Sequence, residues 1–319
     1  MTPRFQILPD AARDAETRAV NSLLLRIAQE TPGLLLRPPA DIRAEHRAGV
    51  GYFDAPVYSE QARNMRAEAI GLSVPVRVME PINGCSTGVF LYIHGGGWSL
   101  GACDLQDPLL ERIADETGLV CVSVDYRLAP ENPYPAGPDD CEAAALWLAR
   151  NTDREFGTKR LFIGGDSAGA HFSTTTLLRL RDRHGQMPFS GACLFYGLYD
   201  MGLTPSMRTY ADLPLLDRVD VENFRAHFLQ NGEDTSDPDI SPLHADLTGM
   251  PPAFFTCGTR DGLVDDTLFM ASRWAAAGNE ADVVLWPEGP HNFLVMDIAL
   301  ARQSLAHAIE WLNKRNRPT

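Results

Sequence analysis

The chain lacks a long apolar run, an excess of basic residues and any C-x-x-C pair of cysteines. Its start, MTPRFQ, leads into charged residues, so we predict neither a signal peptide nor a transmembrane helix and expect a cytoplasmic protein. Acidic residues outnumber basic ones by 42 to 28, and the formal net charge of −14 argues against a nucleic acid or an anionic membrane as partner.

The cysteine pattern argues against two further kinds of site. The cysteines are scattered singly, and several stand in apolar, strand-like runs. We therefore predict reduced, buried side chains rather than disulfides or zinc ligands, and the spacing indicates no metal or cofactor. These residues are Cys85, Cys103, Cys121, Cys141, Cys193 and Cys257.

The apolar periodicity predicts a single α/β domain over residues 1–319. With 319 residues, of which 45% are hydrophobic, the chain can bury a large core. Apolar runs alternate with amphipathic stretches, which is typical of a mostly parallel central sheet with helices on both faces. The predicted strands are 73–79, 89–93, 119–125, 161–165, 191–196, 252–257 and 282–286, and the predicted helices are 105–116, 138–151, 168–183, 265–277 and 297–314.

Residues 165–169 read GDSAG and lie between an apolar run and a helix-like stretch. This is the strand–turn–helix context of a nucleophile elbow, where flanking glycines permit a sharp turn that exposes the serine hydroxyl. The pattern predicts that Ser167 is the nucleophile of a serine hydrolase. Because glycine-rich turns also bind phosphate or let a helix pack closely on a sheet, a second motif is needed.

The second motif is HGGGW at residues 94–98, directly after the apolar run 89–93. Consecutive glycines let a loop direct its amides at a substrate carbonyl oxygen, as in the HGGG-type loop of esterases. A flexible linker is a poor alternative because the glycines stand between an apolar run and the bulky Trp98. We predict an oxyanion hole formed by the N–H groups of Gly96, Gly97 and Ala168.

Together these motifs resemble the hormone-sensitive-lipase-like branch of the α/β-hydrolases, which includes many bacterial carboxylesterases. The resemblance extends from about Val89 to Leu294 and includes DYRLAPE at 125–131, YPA at 134–136, SPL at 241–243 and PPA at 251–253. It implies the α/β-hydrolase fold with a helical cap over the site, here contributed by about residues 1–50 and 200–248. Within these segments, residues 15–30 and about 221–229 are predicted to be helical. The alternative for 1–50 is peripheral packing on the surface or formation of a homodimer.

A serine nucleophile requires a base, and the base requires an acid that holds its tautomer. In α/β-hydrolases both follow the serine in the chain, the acid first, on loops after later strands. His291 follows a late strand in a turn-rich loop, so we assign it as the base. Asp261 follows the strand 252–257 and is the predicted acid. Its competitors Asp265 and Asp266 fall in the first turn of the next helix, where carboxylates usually complement the helix dipole.

The resemblance supports both assignments. Asp261 begins a DGL trio where the family has Asp-Pro-Leu, and His291 begins HNF where the family has His-Gly-Phe. In the elbow region Ala170 stands where the family commonly has Gly, and His171 where it often has Asn. Since His171 lies one helical turn after the nucleophile, we predict a packed, hydrogen-bonded core histidine there.

The predicted function is hydrolysis of short- to medium-chain acyl esters through a Ser-His-Asp triad and an acyl-enzyme. Trp98, Phe293 and Leu294 adjoin the motifs and could wall the acyl pocket, although such residues are more often plain core. These motifs do not determine which leaving group is accepted, so an amidase, formamidase or lactonase is the alternative. A non-catalytic small-molecule receptor is a further alternative, against which the retained triad residues argue.

Overall fold

The structure is a computed structural model that describes residues 1–31, 33–50, 55–84 and 86–317. Nine strands within these residues form one sheet. They are β1 (Arg4–Ile7), β2 (Arg63–Ala69), β3 (Leu72–Met79), β4 (Gly88–Ile93), β5 (Leu119–Val124), β6 (Leu161–Asp166), β7 (Phe189–Phe195), β8 (Ala253–Arg260) and β9 (Ala281–Pro290). Their order across the sheet is β1-β9-β8-β7-β6-β4-β5-β3-β2.

The sheet is mostly parallel, as predicted. Antiparallel pairing is confined to one side, where β2 pairs with β3 and β3 with β5. The central strands β4, β5 and β6 are buried along their whole length. Burial on both faces explains why these strands are mainly apolar instead of alternating between apolar and polar residues.

All seven predicted strands are present, as β3 to β9, whereas the two edge strands β1 and β2 were not predicted. The four residues of β1 are exposed, and they pair with β9 through backbone hydrogen bonds. In β2 only Ala67 and Ala69 are buried, so its sequence RNMRAEA carries no apolar run. An edge strand is stabilised by backbone pairing on one side, which leaves little hydrophobic signal to detect.

Nine α-helices of the described residues lie between these strands in the chain or after the last of them. They are α1 (Ala11–Glu30), α2 (Pro39–Ala48), α3 (Asp107–Thr117), α4 (Ala136–Phe156), α5 (Ala168–His184), α6 (Pro205–Thr209), α7 (Arg218–Phe228), α8 (Val264–Ala276) and α9 (Ala299–Arg315). The predicted helices correspond to α3, α4, α5, α8 and α9, and the helical stretches predicted in the cap segments correspond to α1 and α7. Helix α2 was missed, although Pro39 at its start and Gly49 directly after its end are typical boundary signals. In the described residues, no helix combines the length and hydrophobicity needed to span a membrane.

Candidate active site

The elbow at Ser167 connects the carboxyl end of β6 to the start of α5. Ser167 has φ 54° and ψ −119°, a conformation that is strained for a residue with a side chain. Its N–H donates to the carbonyl oxygen of Phe195 at 2.9 Å, which holds the turn against β7. An ideal Cβ at Gly165 or Gly169 would lie 2.2 or 1.9 Å from the carbonyl oxygen of Ile93. Close packing of β4 therefore requires glycine at both positions.

The three residues predicted as a triad lie together at this edge of the sheet. The hydroxyl of Ser167 donates to Nε2 of His291, with 2.9 Å between Oγ and Nε2. Nδ1–H of His291 donates to Oδ2 of Asp261 at 2.8 Å. Asp261 is fully buried, and its other oxygen accepts from the N–H of Leu263 at 2.8 Å. The carboxylate is thereby aimed at the imidazole, and the imidazole at the hydroxyl.

Strand register explains why Asp261 and His291 meet. Arg260 at the end of β8 is the Cα partner of Pro290 at the end of β9, so the residues that follow leave adjacent strands side by side. Parallel strands place their carboxyl ends at one edge of the sheet, where ligand sites of open α/β folds lie. Asn292 has φ 58°, a left-handed conformation that Asn tolerates better than most residues, so it fits where the family has Gly.

Neither competing carboxylate faces His291. Oδ2 of Asp265 accepts from the N–H of Ser206 at 2.8 Å. Asp266 is buried and accepts hydrogen bonds from the N–H groups of Tyr199 and Asp200 and from the hydroxyl of Thr204. Burial raises the pKa of Asp266 to about 7, although its hydrogen bonds oppose the shift. Both side chains instead tie the segment after β7 to the start of α8.

The glycine loop that follows β4 lies over the elbow. Oδ1 of Asp166 accepts from the N–H of Gly95 at 2.9 Å and from the Tyr92 hydroxyl at 2.6 Å, which ties the loop to the end of β6. His94 stacks on Tyr126, with 4.2 Å between ring centroids, and its Nδ1–H donates to the Gly95 carbonyl oxygen at 2.8 Å. Burial lowers the pKa of His94, so its ring is neutral and acts as a support for the loop.

Residues from both predicted cap segments line a cavity of about 1220 Å³ above Ser167. Gly96, Gly97, Ala168 and His291 also line it, so the predicted oxyanion donors and the base face the same space as the nucleophile. Its apolar cap residues include Leu24, Ile27, Leu34, Leu35, Ile42, Leu215, Leu216, Val221 and Phe224. An apolar cavity with a few convergent polar groups is typical of a small-molecule site. The cap segments 1–50 and 200–248 were predicted as such, but none of these side chains was predicted to face the site.

Of the three residues predicted to wall an acyl pocket, only Trp98 lines the cavity. Phe293 is fully buried, and its ring packs against Tyr196 with 5.3 Å between centroids. Leu294 is also buried and does not line the cavity. Val295 and Met296, which follow Leu294, line the cavity instead. Adjacency to a motif in sequence therefore identified one of the three residues as facing the cavity and was wrong for the other two.

His171 is fully buried and lies one helical turn after Ser167, and its backbone N–H donates to the carbonyl oxygen of Ser167 at 3.1 Å. Its ring makes hydrogen bonds to two other residues. Its Nδ1 accepts from the indole N–H of Trp98 at 3.0 Å, and its Nε2–H donates to the carbonyl oxygen of Ile240 at 2.8 Å. This agrees with the expected packed, hydrogen-bonded core histidine. Burial lowers the pKa of His171 to about 4, so the ring is neutral.

Five of the cysteines are free thiols, and four of them are buried. Burial raises the pKa of the Cys103 and Cys121 thiols well above the usual range, which makes them unreactive. Cys85 lies outside the described residues. No cluster of His, Cys, Asp and Glu within the described part of the chain is arranged to hold a metal ion.

A family model and two relatives of known name indicate the same family for this chain. A family model described as alpha/beta hydrolase fold matches residues 90–295. Carboxylesterase NlhH of Mycobacterium tuberculosis is 39% identical over 230 residues, which cover 69% of this chain and 71% of that protein. The acetyl esterase of Salmonella typhi is 27% identical over 289 residues, which cover 87% and 88%.

A solved structure agrees with these relatives. The crystal structure of an esterase from the bacterial hormone-sensitive lipase family has a TM-score of 0.81 and 29% identity, and the match covers 97% of this chain and 100% of that one. The family match over residues 90–295 includes the elbow, the glycine loop and the loops that carry Asp261 and His291. This chain therefore belongs to the α/β-hydrolase family, in its hormone-sensitive-lipase-like branch.

Proposed function

We propose that this protein is a carboxylic ester hydrolase in which Ser167 is the nucleophile, His291 the general base and Asp261 the acid that orients the base. The observation that carries the proposal is the continuous hydrogen-bonded chain from Ser167 Oγ through both nitrogens of His291 to the buried Asp261, at the floor of the cavity. Such a chain activates a hydroxyl that is otherwise a weak nucleophile.

In the first step Ser167 Oγ bonds to the ester carbonyl carbon while its proton moves to Nε2 of His291. Asp261 stabilises the imidazolium through Nδ1–H. The carbonyl oxygen becomes an oxyanion, which accepts hydrogen bonds from the N–H groups of Gly96, Gly97 and Ala168. The bond to the alcohol oxygen then breaks as the imidazolium gives its proton to that oxygen, which leaves Ser167 acylated.

In the second step a water molecule takes the place of the alcohol. Nε2 of His291 accepts a proton from the water as its oxygen attacks the acyl carbon. The same three N–H groups stabilise the second oxyanion. When the carbon–Oγ bond breaks, Ser167 recovers its proton from His291, and the carboxylic acid leaves. The residues end as they began, so no cofactor is consumed.

We propose esters with short to medium acyl chains as substrates. The curated relatives named carboxylesterase and acetyl esterase support this class, and so does the apolar cap above Ser167. Each methylene buried in such a cavity contributes about 0.8 kcal/mol, so we expect a graded chain-length preference.

The test is hydrolysis of p-nitrophenyl esters from acetate to decanoate by the wild type and by Ser167→Ala. The variant should lose nearly all turnover because the residual groups bind substrate without forming the acyl-enzyme. Ser304→Ala is a matched control, since it removes a buried hydroxyl in α9 outside the cavity. A fluorophosphonate should label Ser167 in the wild type, as shown by the mass of the modified peptide.

The outcomes separate the alternatives. Full activity of Ser167→Ala would contradict the proposed nucleophile. Turnover of amides or lactones with matched acyl groups, and of no ester, would identify an amidase or lactonase that uses the same residues. Binding of esters without any turnover or labelling would indicate a non-catalytic small-molecule receptor.

A further inference from the structure

The proposed oxyanion hole is assembled from two segments that are distant in sequence. Gly96 and Gly97 belong to the loop after β4, whereas Ala168 is the first residue of α5. Oxyanion stabilisation depends on donors that are held in position before the charge develops. A contact that fixes the glycine loop relative to α5 therefore controls the geometry of the hole.

One side-chain hydrogen bond makes this connection. Trp98 directly follows Gly97, and its indole N–H donates to Nδ1 of His171, three residues after Ala168 on α5. Trp98 is 3% exposed and His171 is fully buried, so water does not compete for the bond. Trp98 has φ 60°, so its backbone is held in a conformation that a bulky residue rarely adopts.

The imidazole of His171 and the indole of Trp98 each have a second contact that holds the ring in place. Nε2–H of His171 donates to the carbonyl oxygen of Ile240, and because Nε2 carries the proton, Nδ1 is left as the acceptor that Trp98 requires. Phe228, the last residue of α7, stacks on the indole with 5.0 Å between centroids and 19° between planes. The cap therefore holds both partners of the bond.

We propose that His171 is a positioning residue that aligns the two halves of the oxyanion hole through its hydrogen bond to Trp98. This rests on the proposed function, because the hole has a role only if an acyl-transfer oxyanion forms there. The hydrogen bonds of the His171 ring go to Trp98 and Ile240 and not to the hydroxyl of Ser167. It acts through the indole of Trp98. Because Trp98 directly follows Gly97, a fixed indole also holds the backbone of Gly97 in position.

Two variants separate this role from simple packing. The amide of Asn reaches about as far as Nδ1 of His, and the amide of Gln about as far as Nε2. His171→Asn therefore keeps an acceptor for Trp98 and loses the bond to Ile240, whereas His171→Gln keeps the Ile240 bond and loses the acceptor. Both remove the aromatic ring, so they share the packing loss and differ in the hydrogen bond.

We expect His171→Gln to lower kcat by about three- to tenfold with little change in KM, and His171→Asn to stay within about twofold of the wild type. A trifluoromethyl ketone forms an oxyanion on Ser167, so its inhibition constant should rise by the same factor in the Gln variant. The indole N–H resonance of Trp98, identified by its loss in Trp98→Phe, should lose its hydrogen-bond shift in the Gln variant and largely keep it in the Asn variant.

Trp98→Phe removes the donor while keeping a ring against Phe228, and it serves as the second variant if His171→Gln does not fold. Its effect on kcat should not add to that of His171→Gln, since both break the same bond. His307→Phe is the matched control, because His307 also packs edge-on against a Trp, Trp286 at 5.4 Å, outside the cavity.

Equal loss of kcat in the Asn and Gln variants, or additive effects of Trp98→Phe and His171→Gln, would overturn the positioning role and leave a structural one. Failure of the proposed function has a different signature, which is full activity of Ser167→Ala. The indole resonance reports on the hydrogen bond in either case, and an unshifted resonance in His171→Gln overturns the proposal without reference to turnover.

Discussion

The ring of Phe224 occupies the space that a side chain at Gly97 would need: an ideal Cβ at Gly97 would lie 2.4 Å from Cγ of Phe224. Phe224 belongs to the cap helix α7, is 5% exposed and lines the cavity. The cap therefore packs directly on the proposed oxyanion loop. Removing the ring should change the shape of the cavity next to the reacting carbon.

We expect Phe224→Ala to favour longer acyl chains, because the space left by the ring is continuous with the apolar cavity. The ratio of kcat/KM for p-nitrophenyl decanoate to that for the acetate should rise relative to the wild type. Loss of a buried Phe should also lower the free energy of unfolding by about 3–5 kcal/mol. An unchanged ratio in a folded variant would show that Phe224 does not limit chain length.

Gly97→Ala tests the same contact from the other side. The added methyl group overlaps the ring of Phe224, so the loop must move and kcat should fall. The double variant with Phe224→Ala should recover part of this loss. Recovery should be incomplete because Gly97 has φ 55°, where Ala is strained by about 1–2 kcal/mol. Additive effects in the double-mutant cycle would contradict the contact.

Asp261→Asn should lower kcat by roughly 10³- to 10⁴-fold while the protein still folds. The Asn carbonyl oxygen can still accept from the N–H of Leu263. Its amide then faces Nδ1 of His291 and favours the tautomer that carries its proton on Nε2, which cannot accept from Ser167. The measurement is kcat together with thermal unfolding. Asp265→Asn is the matched control, and a comparable loss of kcat in that variant would argue against the assignment of Asp261.

Asp266 should make the folded state less stable as the pH rises. Burial raises its pKa from 3.8 to about 7, so between these values the folded state binds more protons than the unfolded state. Its contribution is fully present below about pH 4 and is lost as the pH rises through about 7. Asp266→Asn should abolish this part of the dependence in denaturant unfolding between pH 4 and 8. An identical pH profile for the variant would contradict the raised pKa.

His171 should make the folded state less stable as the pH falls, which is the opposite of the effect of Asp266. Burial lowers its pKa from 6.5 to about 4, and Arg179 adds to the shift, while the hydrogen bond to Ile240 and the charge of Asp239 oppose it. The unfolded state therefore binds the extra proton first, and the stability that neutral His171 provides is lost as the pH falls from about 6.5 through 4. In His171→Asn the unfolding free energy should fall less over this interval than in the wild type. A steeper fall in the variant would contradict the neutral ring.

The parts of the fold that could be predicted are those with a local signal. Strands β4 and β6 are buried on both faces, so they are apolar runs that can be recognised without their partners. Strands β1 and β2 are at the edges and depend on backbone pairing with β9 and β3, which leaves no comparable pattern. Helix α2 has boundary signals at Pro39 and Gly49, but only Pro39 and Ile42 of its ten residues are buried, so it lacks the apolar periodicity from which the helices on the sheet were predicted.

The elbow and the glycine loop can be recognised from the residues alone, because both are short backbone conformations that only particular residues permit. At Gly165 and Gly169 the carbonyl oxygen of Ile93 leaves no room for a Cβ, and that requirement is visible as GxSxG. Which side chains meet depends instead on how distant segments pack in the folded protein. The register of β8 against β9 brings Asp261 to His291, and the turn after His291 buries Phe293 and exposes Val295 to the cavity. These contacts depend on packing between distant segments, for which neighbouring residues in the chain carry no signal.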